Sequence, residues 1–367
     1  MDRVRNAFLQ QAAACDALGS PFTARLCRLF AERLQPGQAV ADRILGWQGD
    51  PAPSADSVSL RIAGTLHALV LEGKDSLLSV AYPPDQSDDD ALWMAVAHAF
   101  ETHADFILQR LTSAPQTNEV RRSGALLPGF LTLGQLFGKP VVLSEVGASA
   151  GLNLQWDRYR YRLGEADWGD PESPVMIAPE WRGNPAPDAD LTVNARAGCD
   201  LNPIDASDPT QHLRMLSYIW ADQADRLART RAALDLAAQH ELHIDKADAV
   251  DWLKVRLAKP LDPCRLPHHR LAIPAESLAG GRRAVDRRSR RQGDGKCTPR
   301  PPPTRSRRQA GRRLTHAANL AGRREAGNRP CRFPRTVGGV ERVAVKVERA
   351  HGSGALSGGR RDRHVRV

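Results

Sequence analysis

A run of small residues follows a short apolar segment and allows a ligand to approach the backbone closely. Residues 141–146 are apolar and β-branched, which is typical of a buried parallel strand, and residues 145–153 (EVGASAGLN) continue from them. Backbone N–H groups at such a turn bind ligands at the sheet edge where α/β proteins hold nucleotides. The pattern predicts a cofactor site, with a ligand-free tight turn as the alternative. Its candidate residues are Glu145, Gly147, Ser149, Gly151 and Asn153.

Two acids follow later strand candidates. Asp200 closes the run 193–199, where a carboxylate can accept hydrogen bonds from ribose hydroxyls, and Asp248 follows the next strand, where it can face an adenine amino group. Asp200 lies 49 residues after Gly151, whereas about 20 is typical of dinucleotide folds. We therefore expect an insertion over 164–184. Helix capping is the alternative role for both acids.

The same turn also reads G-x-S-x-G, the pattern of a nucleophile elbow with Ser149 as the nucleophile. A serine hydrolase further needs a histidine later in the chain. His212, His240 and His243 are the candidates before residue 263, and all three are expected at the surface or at helix ends. The hydrolase is therefore the last of three functional hypotheses.

Residues 116–122 combine amide, carboxylate and guanidinium groups between a helical region and the sheet. Such groups suit a polar pocket, and a solvated loop is the alternative. The predicted substrate-pocket residues are Gln116, Asn118, Glu119 and Arg122.

The elements that position these motifs fall into two regions. Apolar residues at helical spacing over 2–18, 25–34, 60–71 and 91–111 predict a helical subdomain over 1–114, and Asp88–Asp90 are placed to cap its last helix. Strand candidates at 141–146, 175–178, 191–197 and 242–244 alternate with helices at 211–219, 222–239 and 249–257. This alternation predicts an α/β sheet covered on both faces over 115–262, ending after its third parallel strand.

Charge divides the 367-residue chain at about the same point. The net charge is +10, but residues 263–367 hold 27 basic and 7 acidic groups, which leaves residues 1–262 at −10. Of 19 aromatic residues, only Phe333 lies beyond residue 262. Such a segment cannot offset the entropy of ordering, so we predict a disordered Arg/Pro/Gly-rich tail over 263–367.

Translation in a shifted reading frame is our leading explanation for this tail. Back-translation of residues 267–274 with a one-nucleotide shift permits His-Thr-Ile-Ala-Trp-Gln-Tyr-Leu, which reads as a strand. A solvated linker and a nucleic-acid-binding arm are the alternatives. Because we attribute the basic charge to the frame, we do not expect nucleic acid as a partner.

The first twenty residues contain no apolar run suited to a signal peptide or a membrane span, so we expect a cytoplasmic protein without a membrane partner. The cysteines have no C-x-x-C pair and no metal-ligand spacing, which predicts reduced, buried thiols and no metal site. They are Cys15, Cys27, Cys199, Cys264, Cys297 and Cys331.

Several motifs together resemble the bacterial family catalogued as domain of unknown function 2332, over residues 1–260. They are 115–120 (PQTNEV), 126–130 (LLPGF), 145–153 with 156–159 (WDRY), 199–203 (CDLNP), 220–223 (WADQ) and 247–253 (ADAVDWL). At its glycine turn this family is similar to class I S-adenosylmethionine-dependent methyltransferases. It continues with a strand bearing His-x-x-x-Trp-Gln-Tyr, which this chain lacks in frame.

The resemblance implies a Rossmann-like sheet that binds S-adenosylmethionine. Glu145, Gly147 and Gly151 match the motif for the methionine part, while Asp200 and Asp248 match the positions for ribose and adenine. The leading functional hypothesis is methyl transfer to an unidentified small-molecule or macromolecular acceptor. A non-catalytic nucleotide-binding or interaction module is the second.

Overall fold

The computed structural model describes residues 2–85 and 87–258, together with the backbone of three strands at 269–274, 331–332 and 344–348. All of these residues fall within one unit of the chain. The fold is mixed α/β, with helices around a parallel and mixed sheet and a second, smaller sheet.

Helices fill the described chain up to residue 111, and aspartates begin two of them. Asp75 accepts the Leu78 N–H at 2.9 Å, and Asp88 accepts the Ala91 N–H at 2.8 Å, as the aspartate run predicted for the latter. The single helix predicted over 91–111 is two helices that meet at His103. The helices are α1 (Asp2–Ala17), α2 (Pro21–Arg33), α3 (Ala39–Leu45), α4 (Val58–Leu71), α5 (Ser76–Ala81), α6 (Asp89–Thr102) and α7 (Ala104–Leu111).

The core of this helical part is built on aromatic rings and on α4. Phe30 stacks on Phe8 with ring centroids 5.1 Å apart and meets Trp93 edge-on at 5.6 Å. Residues on every side of α4 are buried, so this helix is surrounded by its neighbours.

The larger sheet runs in the order β6-β5-β1-β7-β9-β8. Its first four strands are parallel, and β9 is antiparallel to both β7 and β8. Val146 pairs with Cys199 and Asp200 pairs with Lys246, so β1, β5 and β6 end at one edge. The strands are β1 (Val141–Val146), β5 (Val193–Asp200), β6 (Ile244–Lys246), β7 (His269–Pro274), β8 (Cys331–Arg332) and β9 (Ala344–Glu348). The helices of this part are α8 (Ser123–Phe137), α9 (Pro209–Ser217), α10 (Ala224–Ala238) and α11 (Ala249–Ala258).

The segment between β1 and β5 holds a second sheet of order β3-β2-β4. This sheet occupies much of the insertion expected over 164–184 and begins before it. A 3₁₀ helix at Leu152–Arg158 follows the glycine turn. The small strands are β2 (Arg160–Leu163), β3 (Ala166–Trp168) and β4 (Met176–Ile177).

The structure differs from the expectation that the parallel sheet ends at its third strand. β7 pairs in parallel with β1 along its whole length, from Val141 opposite His269 to Val146 opposite Pro274. An unpaired edge on a strand as buried as β1 would leave its backbone groups without partners, and β7 satisfies them. Apart from the three strands, the predicted disordered tail lies outside the described residues.

The cysteines that the structure describes fit the prediction of reduced thiols. Cys15, Cys27 and Cys199 are free and buried. Cys264 and Cys297 lie outside the described residues, and only the backbone of Cys331 is described.

Asp222 lies in the connection between α9 and α10 and forms hydrogen bonds with the start of α2. Its carboxylate accepts the Ser20 hydroxyl at 2.6 Å and the Phe22 N–H at 2.9 Å. It thereby caps a helix about 200 residues away in the sequence. We expect Asp222→Ala to lower the free energy of unfolding by about 1–2 kcal/mol, since a lost helix cap costs that much.

Urea unfolding measures this change, with Asp188→Ala in an exposed loop as the control. Equal stability of the two variants would contradict the role given to Asp222.

Candidate functional site

The turn after β1 is held against β5 and has an unusual backbone. The Ala148 N–H donates to the Cys199 carbonyl at 3.0 Å. Three turn residues have a left-handed backbone, with φ of 65° at Gly147, 53° at Ser149 and 69° at Gly151. Glycine adopts this conformation at little cost, but a serine needs surrounding contacts to hold it there.

Close packing explains two glycines at this edge. A Cβ on Gly198 of β5 would lie 2.8 Å from the Ala148 Cβ, and a Cβ on Gly151 would lie 2.7 Å from the Leu242 Cδ2. A side chain at Gly198 would require the backbone to move, because the Ala148 Cβ is fixed to it. At Gly151 the Leu242 side chain would have to move, and the left-handed backbone also favours glycine there. Gly198 was not identified from the sequence.

The two acids expected at a nucleoside both accept backbone hydrogen bonds. Asp200 Oδ2 accepts the Ser149 N–H at 2.9 Å, and its Oδ1 accepts the Asn202 N–H at 2.8 Å. Asp248 Oδ1 accepts the Val250 N–H at 2.8 Å, which is the capping contact that the alternative predicted. A carboxylate has about four acceptor sites, so each acid retains acceptor capacity.

Glu145 lies on β1 beside this turn and is fully buried. Burial raises the pKa of its carboxyl group to about 8, against the lowering effects of the Arg122 guanidinium and the Asn153 amide, while nearby Asp200 raises it further. Neither carboxyl oxygen makes a hydrogen bond of ordinary geometry within the described residues, although the Asn153 amide lies near enough to affect the pKa of this group. At neutral pH most of this group is therefore protonated, and it can donate a hydrogen bond.

Other buried polar atoms around the turn share this lack of a partner within the described chain. A buried polar group without a hydrogen bond costs about 1–3 kcal/mol, so a cluster of them needs an explanation such as a ligand or ordered water. In addition to those of Glu145, the atoms are Asn118 Oδ1, Ser149 Oγ, and Asn153 Nδ2 and Oδ1.

Two residues of the predicted substrate pocket lie against the same edge. The Asn118 amide donates to the Ala148 carbonyl at 2.8 Å, and the Gln116 amide donates to the Asn202 carbonyl at 2.9 Å. The segment 116–118 therefore contacts both the glycine turn and the loop after β5.

The other two pocket residues face different neighbours. Arg122 is close enough to Glu145 to lower its pKa. Glu119 forms an ion pair with Arg226 of α10, with its Oε2 2.7 Å from the Arg226 Nε. Arg226 was not identified from the sequence, because its partner lies more than a hundred residues away.

Among the described residues, no three His, Cys, Asp or Glu side chains are grouped so as to hold a metal ion. Within the same residues, no helix has the length and apolar character needed to cross a membrane.

Comparison with known proteins identifies the family. The model of domain of unknown function 2332, described as an uncharacterized protein conserved in bacteria, matches residues 5–272. The chain belongs to this family. The match includes the glycine turn, both acids and the segment 116–122. No curated protein and no solved structure matches the chain.

In this member of family 2332, two of the three histidines considered for the hydrolase hypothesis lie beside acids. His212 Nε2 is 3.9 Å from Asp235 Oδ1, and His243 Nε2 is 3.6 Å from Asp245 Oδ1. The Ser149 hydroxyl has no hydrogen-bond partner among the described residues. A serine nucleophile needs a base within hydrogen-bond reach, so the described geometry does not favour the hydrolase.

Proposed function

We propose that the chain binds S-adenosylmethionine at the carboxyl edge of β1 and transfers its methyl group to an unidentified acceptor. The observation that carries the proposal is the set of unpartnered buried polar atoms of Glu145, Ser149 and Asn153 beside the glycine turn. They fit a polar ligand that would supply the missing hydrogen bonds.

The strand order supports the same location. Numbered along the chain, the four parallel strands β1, β5, β6 and β7 lie in the order 3-2-1-4. Sheets of this order bind ligands outside the carboxyl ends of their strands, where the order reverses. In this chain that point is the end of β1, next to Glu145 and the turn.

Several residues at this edge can bind different parts of the cofactor. The protonated Glu145 carboxyl and the Asn153 amide can donate hydrogen bonds, and the remaining acceptor sites of Asp200 can receive ribose hydroxyls. The bound cofactor supplies an electrophilic methyl group. The protein then contributes mainly the alignment of donor and acceptor, which requires no acid–base pair.

Calorimetric titration with S-adenosylmethionine and S-adenosylhomocysteine tests this proposal. We expect Glu145→Leu to weaken binding of both about tenfold, because leucine has a similar volume but neither donates nor accepts a hydrogen bond. Gly147→Val should also weaken binding, since valine disfavours the left-handed backbone at φ 65°.

The control is Glu165→Gln, which changes an exposed glutamate in the tight turn between β2 and β3. Unchanged affinity in both site variants, with the folded state verified by circular dichroism, would refute the proposed site.

Turnover separates an enzyme from a binding module. Release of S-adenosylhomocysteine in the presence of a bacterial metabolite extract would support methyl transfer. Binding without release would favour the nucleotide-binding module. Labelling of Ser149 by a fluorophosphonate probe would favour the hydrolase instead.

We also propose that the basic tail beyond the family match, after residue 272, is read in a shifted frame. Its composition supports this proposal, with 27 basic and 7 acidic groups and one aromatic residue over 263–367. The family match continues to residue 272, so the nucleotide sequence of codons 258–280 is the informative region. An intact frame through these codons would refute the proposal.

A further inference from the structure

Three arginines from distant parts of the chain meet near Tyr218. Arg61 lies on α4, Arg110 on α7 and Arg214 on α9. Arg61 and Arg214 donate to carbonyls at and after the end of α7, the Tyr218 hydroxyl donates to a carbonyl of the same short segment, and Arg110 donates to the residue before Tyr218. All three lower the pKa of the Tyr218 phenol, against the larger raising effect of its burial. We call this group the arginine cluster.

The hydrogen bonds of the arginine cluster go to neutral groups. Arg61 donates to the carbonyls of Asp56 at 2.6 Å and Leu111 at 3.0 Å, and Arg110 donates to the Ser217 hydroxyl at 2.8 Å. Arg214 donates to a backbone carbonyl at 3.3 Å. Within the described chain, no carboxylate lies at ion-pair distance from any of the three.

Two atoms of the cluster have no acceptor at all among the described residues. The Nε atoms of Arg110 and Arg214 are buried and lack a hydrogen-bond partner. Arginine side chains that are withdrawn from water are ordinarily paired with an anion, because an unpaired buried charge is costly. The missing partners are therefore acceptors, and a negative charge would suit them best.

The electrostatics of the cluster agree with this reading. Burial is the largest cause that lowers the pKa of Arg61 and of Arg110, and the positive charge of Arg214 lowers both further. The acids that raise these values, Asp56 for Arg61 and Glu72 for Arg110, form no ion pair with them. The cluster thus holds three positive charges in a partly buried place without a matching anion.

We propose that Arg61, Arg110 and Arg214 bind an oxyanion, a phosphate or carboxylate group of a small ligand. A planar guanidinium presents paired N–H groups that match two oxygens of such a group. The cluster shares no residue with the cofactor edge proposed above, and the proposal does not depend on that edge.

Tyr218 is itself held in place by close packing. A Cβ on Gly64 would lie 2.5 Å from the Tyr218 ring, and the absence of a side chain there lets the ring pack against α4. The ring at the centre of the arginine cluster is therefore fixed by α4.

Thermal unfolding of the full chain in inorganic phosphate tests the proposal, with sodium chloride at equal ionic strength as the reference. We expect phosphate to raise the Tm saturably, because a ligand of the native state stabilises it. Arg214→Gln and Arg110→Gln should each weaken the apparent affinity about tenfold, since a charge-assisted hydrogen bond is lost. Arg231→Gln, at an exposed position on α10, should leave it unchanged.

Succinate in place of phosphate distinguishes the two sources of the oxyanion. A lower half-saturating concentration of succinate would assign a carboxylate ligand, and a lower one of phosphate would assign a phosphorylated ligand. The proposal is overturned if neither anion raises the Tm above the chloride reference. It is equally overturned if the cluster variants respond to both anions as Arg231→Gln does.

Discussion

Glu145→Gln is expected to gain stability relative to the native chain as the pH rises, by about 5 kcal/mol between pH 4 and pH 9. The pKa of Glu145 is raised from 4.5 to about 8 by burial. The native carboxyl therefore keeps its proton while the unfolded chain loses one, and native stability falls as the pH rises through this interval. Each pKa unit corresponds to about 1.4 kcal/mol. Glutamine does not titrate, so the free energy of unfolding of the variant does not decrease for this reason.

Urea unfolding of both proteins at several pH values measures the difference. Below pH 4.5 the carboxyl is protonated in both states, and above pH 8 it is ionised in both, so the difference should be level outside this window. Glu165→Gln, at an exposed glutamate, should differ little from the native chain throughout. A constant difference for Glu145→Gln from pH 4 to pH 9 would contradict the burial of a carboxyl group without partners.

Trp156→Ala is expected to lower the free energy of unfolding by about 3–5 kcal/mol, the usual cost of removing a large buried aromatic ring. The Trp156 ring has no solvent exposure. It lies 4.6 Å from the Phe130 ring and 5.5 Å from the Trp168 ring, measured between centroids. It thereby joins α8, the 3₁₀ helix after the turn and the small sheet.

The midpoint and slope of denaturant unfolding give this value. Trp181→Ala removes a partly exposed tryptophan of the same part of the chain and should cost less. A loss for Trp156→Ala no greater than that for Trp181→Ala would indicate that the ring does not hold these elements together.

The sequence predicted the elements whose local pattern agrees with their tertiary surroundings. β1 lies at the predicted residues, because an apolar β-branched run is also what a buried parallel strand needs. The aspartates before α6 provide its N-cap, as their position indicated. α8 was not predicted; Pro128 and glycines within it disfavour a helix, yet burial of Leu127 and Phe130 stabilises it.

The candidate site was predicted only in part, for a related reason. Asn118 was proposed from the polar composition of its segment, and its amide does contact the glycine turn. No local pattern identifies Gly198, whose role depends on Ala148 lying against it. No local pattern predicts the arginine cluster either, because Arg61, Arg110 and Arg214 meet only in the folded chain.

A crystal structure of the full chain grown with S-adenosylhomocysteine would show whether the ligand binds at the glycine turn. We expect the ligand at the carboxyl end of β1, within hydrogen-bond distance of Glu145 and Asn153, with its ribose at Asp200. Ligand bound elsewhere, or ordered water alone satisfying Glu145 and Asn153 at saturating ligand, would contradict it.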